Sequence, residues 1–466
     1  MNKCIVFAPI AAREVQFYLE FAEHSKRMNW PFEIQFLSFF QAGNEILMGR
    51  GYKVWDIYDW SERVDQFKVA DGKLESFFGI DNIHKLILHE KLTFGIGEND
   101  VLYGKYYKYL NGVHLILNEI LKDFSAKQVT VFQELGGFVA PLSLLHNCRQ
   151  QKIQHVFFEP SFFKGTMNFV ENSFVSSFKG VSAITEGPDS GAVRYLSEVK
   201  NLKQLVIPQK DTHHYKDMGL AKIFNRANFS KLFNKLYLKY VKKQKQEYEW
   251  ISNHVWRGLR QYFNRKRTSS LYSAALPQQE FIYFPFHVQL DVQLTIRNPE
   301  YLNQLAFVEL VCQVLPRKYK LVVKEHPASI GGFDASELTR IVKTNENLVL
   351  LYPMTNTYDI LDKASAVITI NSKVGAEAAS LGHFVACMGH GFYWNSEIVH
   401  KLDSSADLVK WLEDLSHGKI AKVSQSSIEK YFSEIYRQSY QFELYNFSEK
   451  NLAHFFTAIK NYLIKL

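Results

Sequence analysis

Nothing in the 466-residue chain approaches the roughly 18 consecutive apolar residues that a membrane-spanning helix needs. Cysteine is scarce: Cys4, Cys148, Cys312 and Cys387 lie far apart, which excludes a disulfide framework and any zinc-ligand spacing. No two aspartates stand in an Asp-x-Asp pattern, so the metal–nucleotide-sugar motif of single-lobed transferases is missing. Gly95-Ile96-Gly97 is followed by Glu98 with no third glycine in register, and no Walker A sequence occurs. A dehydrogenase and a P-loop ATPase are therefore poorly supported. There is no solenoid-period repeat and no low-complexity tract. With 47% hydrophobic and 22% charged residues, a mainly disordered chain is excluded as well.

What is present is a chain long enough for two domains of about 200 residues each. Aromatics reach 15%, with 37 Phe and 25 Tyr, a content that suits a sugar-binding cleft or a membrane-facing surface. The net charge is +8, and the excess is local: Lys216 to Arg267 holds 14 basic residues against Asp217, Glu247 and Glu249. Lys231, Lys235, Lys239 and Lys242/Lys243 recur at helical spacing, while Leu232, Phe233, Leu236, Tyr237 and Tyr240 fill another face. Such a helix suits an anionic membrane surface, where each nearby cation contributes roughly 1 kcal/mol. The plainer alternative is a solvated helix packed on the body. Nucleic acid is not expected, because no recognised binding motif accompanies the charge.

Short β-rich runs alternate with helical stretches twice over, the pattern of two parallel-sheet domains. Strands are expected near Cys4–Ala8, Phe32–Ser38, Lys53–Ile57, Val129–Phe132 and His155–Glu159. In the second half they are expected near Phe281–Phe286, Leu321–Lys324, Leu348–Leu351, Ala366–Ile370 and Phe384–Met388. Residues 1–210 then form a first Rossmann-like lobe, 211–277 a basic helical segment, 278–425 a second Rossmann-like lobe and 426–466 terminal helices. The fold class is α/β and GT-B-like, with the active site in the cleft between lobes and ligands at the carboxyl ends of strands. Ile5-Val6-Phe7 reads as a first strand rather than a signal-peptide core. A reduced, cytoplasmic protein, peripheral on the inner face of the cytoplasmic membrane, is expected.

Four strand-end loops carry candidate chemistry. Lys324-Glu325-His326-Pro327 ends one strand with a proline, holding an imidazole at the cleft for a phosphate hydrogen bond or proton transfer. Asn371-Ser372-Lys373 precedes Val374-Gly375-Ala376-Glu377. Asn371 or Ser372 is placed to cap a helix whose free amides favour an anion, Gly375 to let backbone approach a ligand, and Glu377 to accept from ribose hydroxyls. Pro285–Gln293 offers Asp291, with Gln289 and Gln293 nearby to orient it. Glu159, behind Phe157 and Phe158, is a candidate acid of raised pKa, a solvent-facing strand-end carboxylate being the equal alternative.

Taken in order, Phe157–Thr166, Pro285–Gln293, Lys324–Pro327, Ile370–Glu377 and Gly389–Tyr393 resemble the bacterial capsule polysaccharide biosynthesis family. Its characterised members are retaining β-Kdo transferases that use CMP-Kdo. The resemblance spans roughly Val129 to Tyr393 and implies a GT-B fold with the CMP site in the second lobe. It implies that His326, Pro327, Ser372 and Lys373 fall in the CMP-binding motifs and Asp291 in the segment that supplies the nucleophile. The chain departs from many members at Glu159-Pro160-Ser161, where they read Glu-Asn-Gly, and at Ser372-Lys373, where they read Ser-Thr or Ser-Ser.

The ketosidic carbon of CMP-Kdo carries no hydrogen, and retention calls for two displacements through a carboxylate adduct. Asp291 is then the nucleophile, with His326, Lys324, Lys373 and the helix after Ser372 stabilising the departing phosphate. Glu159 would orient or deprotonate the acceptor hydroxyl. The donor is the CMP-sugar, the acceptor a saccharide or lipid-linked glycan, and neither metal nor cofactor is expected. The rival readings are a CDP-glycerol glycerophosphotransferase-like enzyme and a non-catalytic glycosyltransferase-like subunit.

Overall fold

The computed structural model describes residues 3–63, 74–176, 178–203, 226–247 and 251–465. The expected boundary at 210/211, together with Lys216, Asp217, Lys222 and Glu249 of the basic segment, lies outside the described residues.

The first sheet is built from β1 (Cys4–Phe7), β2 (Glu33–Ser38), β3 (Lys53–Asp56), β4 (Val129–Glu134), β5 (Gln154–Pro160) and β6 (Thr166–Glu171). The second contains β7 (Phe281–Pro285), β8 (Lys320–Lys324), β9 (Leu348–Leu351), β10 (Ala366–Thr369), β11 (Phe384–Cys387) and β12 (His400–Lys401). A last strand, β13 (Tyr440–Gln441), returns to the first sheet, whose order is β13-β6-β5-β4-β1-β2-β3. The second sheet runs β12-β11-β10-β7-β8-β9 and is parallel throughout. Every residue of β1, β7 and β10 is buried, as central strands covered on both faces require.

The chain reverses its direction of winding at β1/β4 in one sheet and at β7/β10 in the other. Those are the switch points at which the carboxyl ends of strands open a crevice. The ten expected strands are all present. β6, β12 and β13 were not anticipated: two are only two residues long, and β6 and β13 pair antiparallel at the sheet edge. Between β7 and β8 a short 3-10 turn at Pro299–Tyr301 is followed by a helix, Gln304–Val314.

The chain crosses between lobes more than once. Ile184, Ala192, Leu196 and Val199, on and before the helix Ser190–Leu202, join the core of the second sheet with Tyr283, Val322 and Val367. In the opposite sense, the final helix Glu449–Lys465 buries Phe455 and Ile459 against Phe17 and Phe21 of the first lobe's opening helix, Ala12–Arg27. Phe455 and Phe17 stack at 5.3 Å, a contact that contributes about 0.5–1.5 kcal/mol beyond the area it buries. Two doubly wound lobes with a terminal helix crossing back give a GT-B-like architecture.

Candidate active site between the lobes

Three loops of the second lobe converge at its switch point, and each is fixed by a backbone amide two residues on. After β7, the Asp291 carboxylate accepts from Gln293 N at 2.9 Å and caps the short helix Val292–Thr295. After β8, His326 Nδ1 accepts from Ala328 N at 3.1 Å. This leaves the proton of the neutral ring on Nε2, so His326 is a hydrogen-bond donor there rather than a base. After β10, Ser372 Oγ accepts from Val374 N at 3.2 Å and caps the helix Lys373–Ser380. Pro327 occupies the first position of a 3-10 turn, where a missing N–H costs nothing.

The loops are also tied to one another. Asn371 does not cap; its Nδ2 donates to Gln293 O at 3.0 Å and to His390 O at 3.1 Å. Asn298 donates to Gln293 O at 2.8 Å and accepts from His390 N at 2.6 Å. His287, buried beside them, has its N–H on Gln304 Oε1 at 2.8 Å. Burial first, and the neighbouring His326 imidazole second, hold the His287 imidazole down to about 3, so it is neutral.

The first lobe reaches this cluster through two clamps. Arg297 forks onto Glu159 at 2.8 and 3.0 Å, and its third nitrogen donates to Phe174 O at 2.6 Å. Glu159 also accepts from Ser176 Oγ at 2.9 Å. Burial alone would raise the Glu159 pKa; the Arg297 charge and these hydrogen bonds outweigh it and hold the carboxyl below its usual range. The expected raised-pKa acid is therefore an ionised carboxylate held by Arg297 and Ser176, and its lowered pKa makes it a poor base for an acceptor hydroxyl.

The second clamp joins His89 Nδ1 to Thr295 Oγ1 at 2.7 Å, and Thr295 Oγ1 donates to Asp291 O at 2.9 Å. The threonine proton is committed to Asp291, so His89 must be the donor. Burial, and then the Arg257 charge, bring His89 down to about 4, which keeps it neutral. A side chain at Gly137 would sit 2.6 Å from the His89 ring, so only glycine leaves the ring its place.

Several expected contacts have other partners. The Gln289 amide, in the orientation that satisfies both ends, donates to Gly332 O at 2.6 Å and accepts from Phe333 N at 3.3 Å. It steadies the neighbouring loop. The Gln293 side chain accepts from Arg297 at 2.8 Å, so only its backbone N–H orients Asp291. Gly375 meets protein: a Cβ there would lie 2.5 Å from Tyr393 Oη, which donates to Ser372 O at 2.6 Å. Lys324 is spent on Thr355 O at 2.8 Å and Thr357 Oγ1 at 2.9 Å, and burial lowers its pKa to about 8. Glu377 is buried rather than presented to a ribose. Burial pushes its carboxyl up against the opposing pull of Lys373 and Lys324. Lys373 itself is lowered by burial and partly restored by Glu377.

Arg297, His89, Thr295, Asn298 and His287 were not singled out from the sequence. An arginine six residues beyond Asp291 was the one local signal. Among the described residues, no group of three or more His, Cys, Asp or Glu is arranged to hold a metal ion, and no helix is long and apolar enough to cross a membrane.

Fold and site together define a two-lobed α/β protein of GT-B-like architecture, with its polar cluster at the switch point of the second lobe, facing Glu159 and His89 of the first. The chain belongs to the capsule polysaccharide biosynthesis protein family, whose model matches residues 143–438. The protein FixF of Sinorhizobium fredii (strain NBRC 101917 / NGR234) is 28% identical over 144 residues, 29% of this chain and 34% of that protein. The chain thus spans about a third of that relative's length. The β-Kdo 2,7 transferase of Thermosulfurimonas dismutans KpsC covers 74% of this chain and 88% of its own, at 14% identity and a TM-score of 0.36. The β-Kdo 2,4 transferase of the same protein covers 74% and 95%, at 14% identity and 0.33. UDP-GlcNAc 2-epimerase from Neisseria meningitidis covers 100% of both chains at 11% identity and 0.28. These likenesses are weak in both shape and sequence.

Proposed function

We propose that the protein is a glycosyltransferase of capsule polysaccharide synthesis, moving a Kdo-type sugar from CMP-Kdo to a saccharide or lipid-linked acceptor with retention. The observation that supports this best is Asp291. It is a carboxylate at the switch point of the second lobe, fixed on its own lobe by Gln293 and Thr295 and braced from the other by His89 on Thr295 and Glu159 on Arg297. A nucleophile needs this kind of immobility, because small displacements from the line of attack cost large factors in rate.

In the proposed first step an Asp291 oxygen bonds to the ketosidic carbon of Kdo while that carbon's bond to CMP breaks, and the electron pair leaves with the phosphate. His326 Nε2–H and the free amides at the start of the helix Lys373–Ser380 stabilise the departing phosphate. In the second step the acceptor hydroxyl oxygen bonds to the same carbon from the vacated face and the Asp291 carboxylate is released. The hydroxyl proton passes to the phosphate of departed CMP, since Glu159 is already engaged with Arg297. Glu159 is thus a positioning residue, holding the Asp291 segment from across the cleft.

Incubation of the full chain with CMP-Kdo and a panel of saccharide and lipid-linked acceptors tests the reading. CMP release together with a product heavier by one Kdo residue supports it. Intact CMP-Kdo with every acceptor, and no CMP binding by calorimetry, would overturn it, and turnover of CDP-glycerol in its place would do the same.

A further inference from the structure

We infer that the segment between the lobes docks the protein on an anionic lipid surface, through two helices that each expose aromatic residues interleaved with cations. The helix Arg226–Leu236 runs on into a π-helical turn, Tyr237–Val241. Phe233, Tyr237 and Tyr240 follow one another at spacings of four and three and so share one face, with Val241 at its edge, four residues on from Tyr237. Phe233 is 73% exposed and Tyr240 69%. Lys231, Lys239, Lys242 and Lys243 are exposed as well, and Lys239 Nζ lies 5.9 Å from the centre of the Tyr240 ring. On the inner side Leu238 packs against the first-lobe core.

The helix Ile251–Thr268 repeats the arrangement. Trp256, Arg260, Phe263 and Arg267, spaced by four, three and four, are all exposed, Trp256 at 71%. Beside that stripe Asn264 is buried, and its amide donates to Phe333 O at 2.7 Å and to Gly331 O at 3.2 Å in the second lobe.

The segment is also firmly attached. Glu247 is buried and accepts from Tyr58 at 3.0 Å and Tyr109 at 2.5 Å, with Lys105 Nζ at 3.0 Å. Gln41 N donates to Lys245 O at 3.3 Å, and Phe40 bridges to Gln246. A helix held this way would ordinarily turn its aromatics inward; here they face out beside lysines. Aromatic rings at headgroup depth with cations reaching the lipid phosphates fit an interfacial helix. Single-stranded nucleic acid also uses cations and rings, but the aliphatic Val241 in the stripe offers no face on which a base stacks.

The proposal is separable from the catalytic reading, since none of these residues belongs to the cleft. The test is flotation of the full chain with phosphatidylcholine vesicles, with and without phosphatidylglycerol, at low and high salt. Binding is expected only to the phosphatidylglycerol vesicles and is expected to be lost at high salt. Replacing Lys231, Lys239, Lys242 and Lys243 by Gln should weaken it by roughly fivefold per cation. Phe233→Ser with Tyr240→Ser, and separately Trp256→Ser with Phe263→Ser, should each lower binding severalfold without shifting the thermal midpoint. CMP-Kdo consumption in solution should be the same in all variants. Wild-type protein that ignores phosphatidylglycerol vesicles at low salt would overturn the proposal. So would aromatic variants that bind like wild type, or a single-stranded oligonucleotide that displaces the protein from vesicles.

Discussion

On the second-lobe side of the cleft, Asp291, His326 and Ser372 each follow a parallel strand, and each accepts from the backbone amide two residues on. On the first-lobe side, Glu159 also ends a strand, yet its partner is Arg297, 138 residues further along the chain. The first arrangement forms as soon as a strand and its following turn form. The second forms only when the two lobes close on each other. One side therefore brings preset chemistry, while the other sets where that chemistry stands.

If this division of labour holds, substitutions on the two sides should fail differently. The largest effect is expected for Asp291→Asn, which should lower sugar transfer roughly a thousandfold or more while CMP still binds, as shown by calorimetry beside a transfer assay. Transfer within tenfold of wild type would remove Asp291 from the mechanism.

Arg297→Ala strands a buried carboxylate and should cost about 3–5 kcal/mol of stability by denaturant titration. The double change Arg297→Met with Glu159→Leu removes both charges and should recover much of that stability but little of the activity. Recovery of both would show that the clamp holds the fold and does not position Asp291.

Glu325 offers a pH test confined to the second lobe. It is buried beside Tyr272 and accepts from Gly331 N at 3.1 Å, and burial raises its pKa to about 7. Between the ordinary carboxylate value and about 7 the native state holds a proton that the unfolded chain has lost, so this contribution to stability falls as pH rises through that window. The loss is on the order of 3 kcal/mol and complete above about pH 7. Glu325→Gln should flatten the dependence between pH 5 and 8, and an unchanged slope would place its origin elsewhere.

The smallest effects belong to the capped turns: His326→Ala and Ser372→Ala should each weaken CMP binding by about 1–3 kcal/mol. A similar loss from Glu159→Gln would erase the distinction between the two sides.

The same contrast explains what was legible in the sequence. Strand runs such as Phe281–Pro285 and strand-end pairs such as His326-Pro327 are local, and the sequence placed them nearly where they lie. Glu159 was visible as a strand-end carboxylate, but its ionisation depends on Arg297, which no local pattern links to it. Gln289 stands two residues from Asp291 in the chain and yet turns to Gly332, because its orientation is decided by a loop that arrives some forty residues later. Gly375 looked like room for a ligand because the sequence does not show that Tyr393 fills that room. Short edge strands such as β13 exist through pairing across the molecule and leave almost no trace in two residues of sequence.

The account rests on a covalent intermediate at Asp291, and the mass of that intermediate is the most direct measurement. Protein quenched in acid during turnover of CMP-Kdo, then digested and analysed by mass spectrometry, should show one added Kdo residue on the peptide that carries Asp291. No such addition should appear in Asp291→Asn. A wild-type peptide that stays unmodified while product accumulates with retained configuration, in an Asp291→Asn enzyme as well as in wild type, would contradict it.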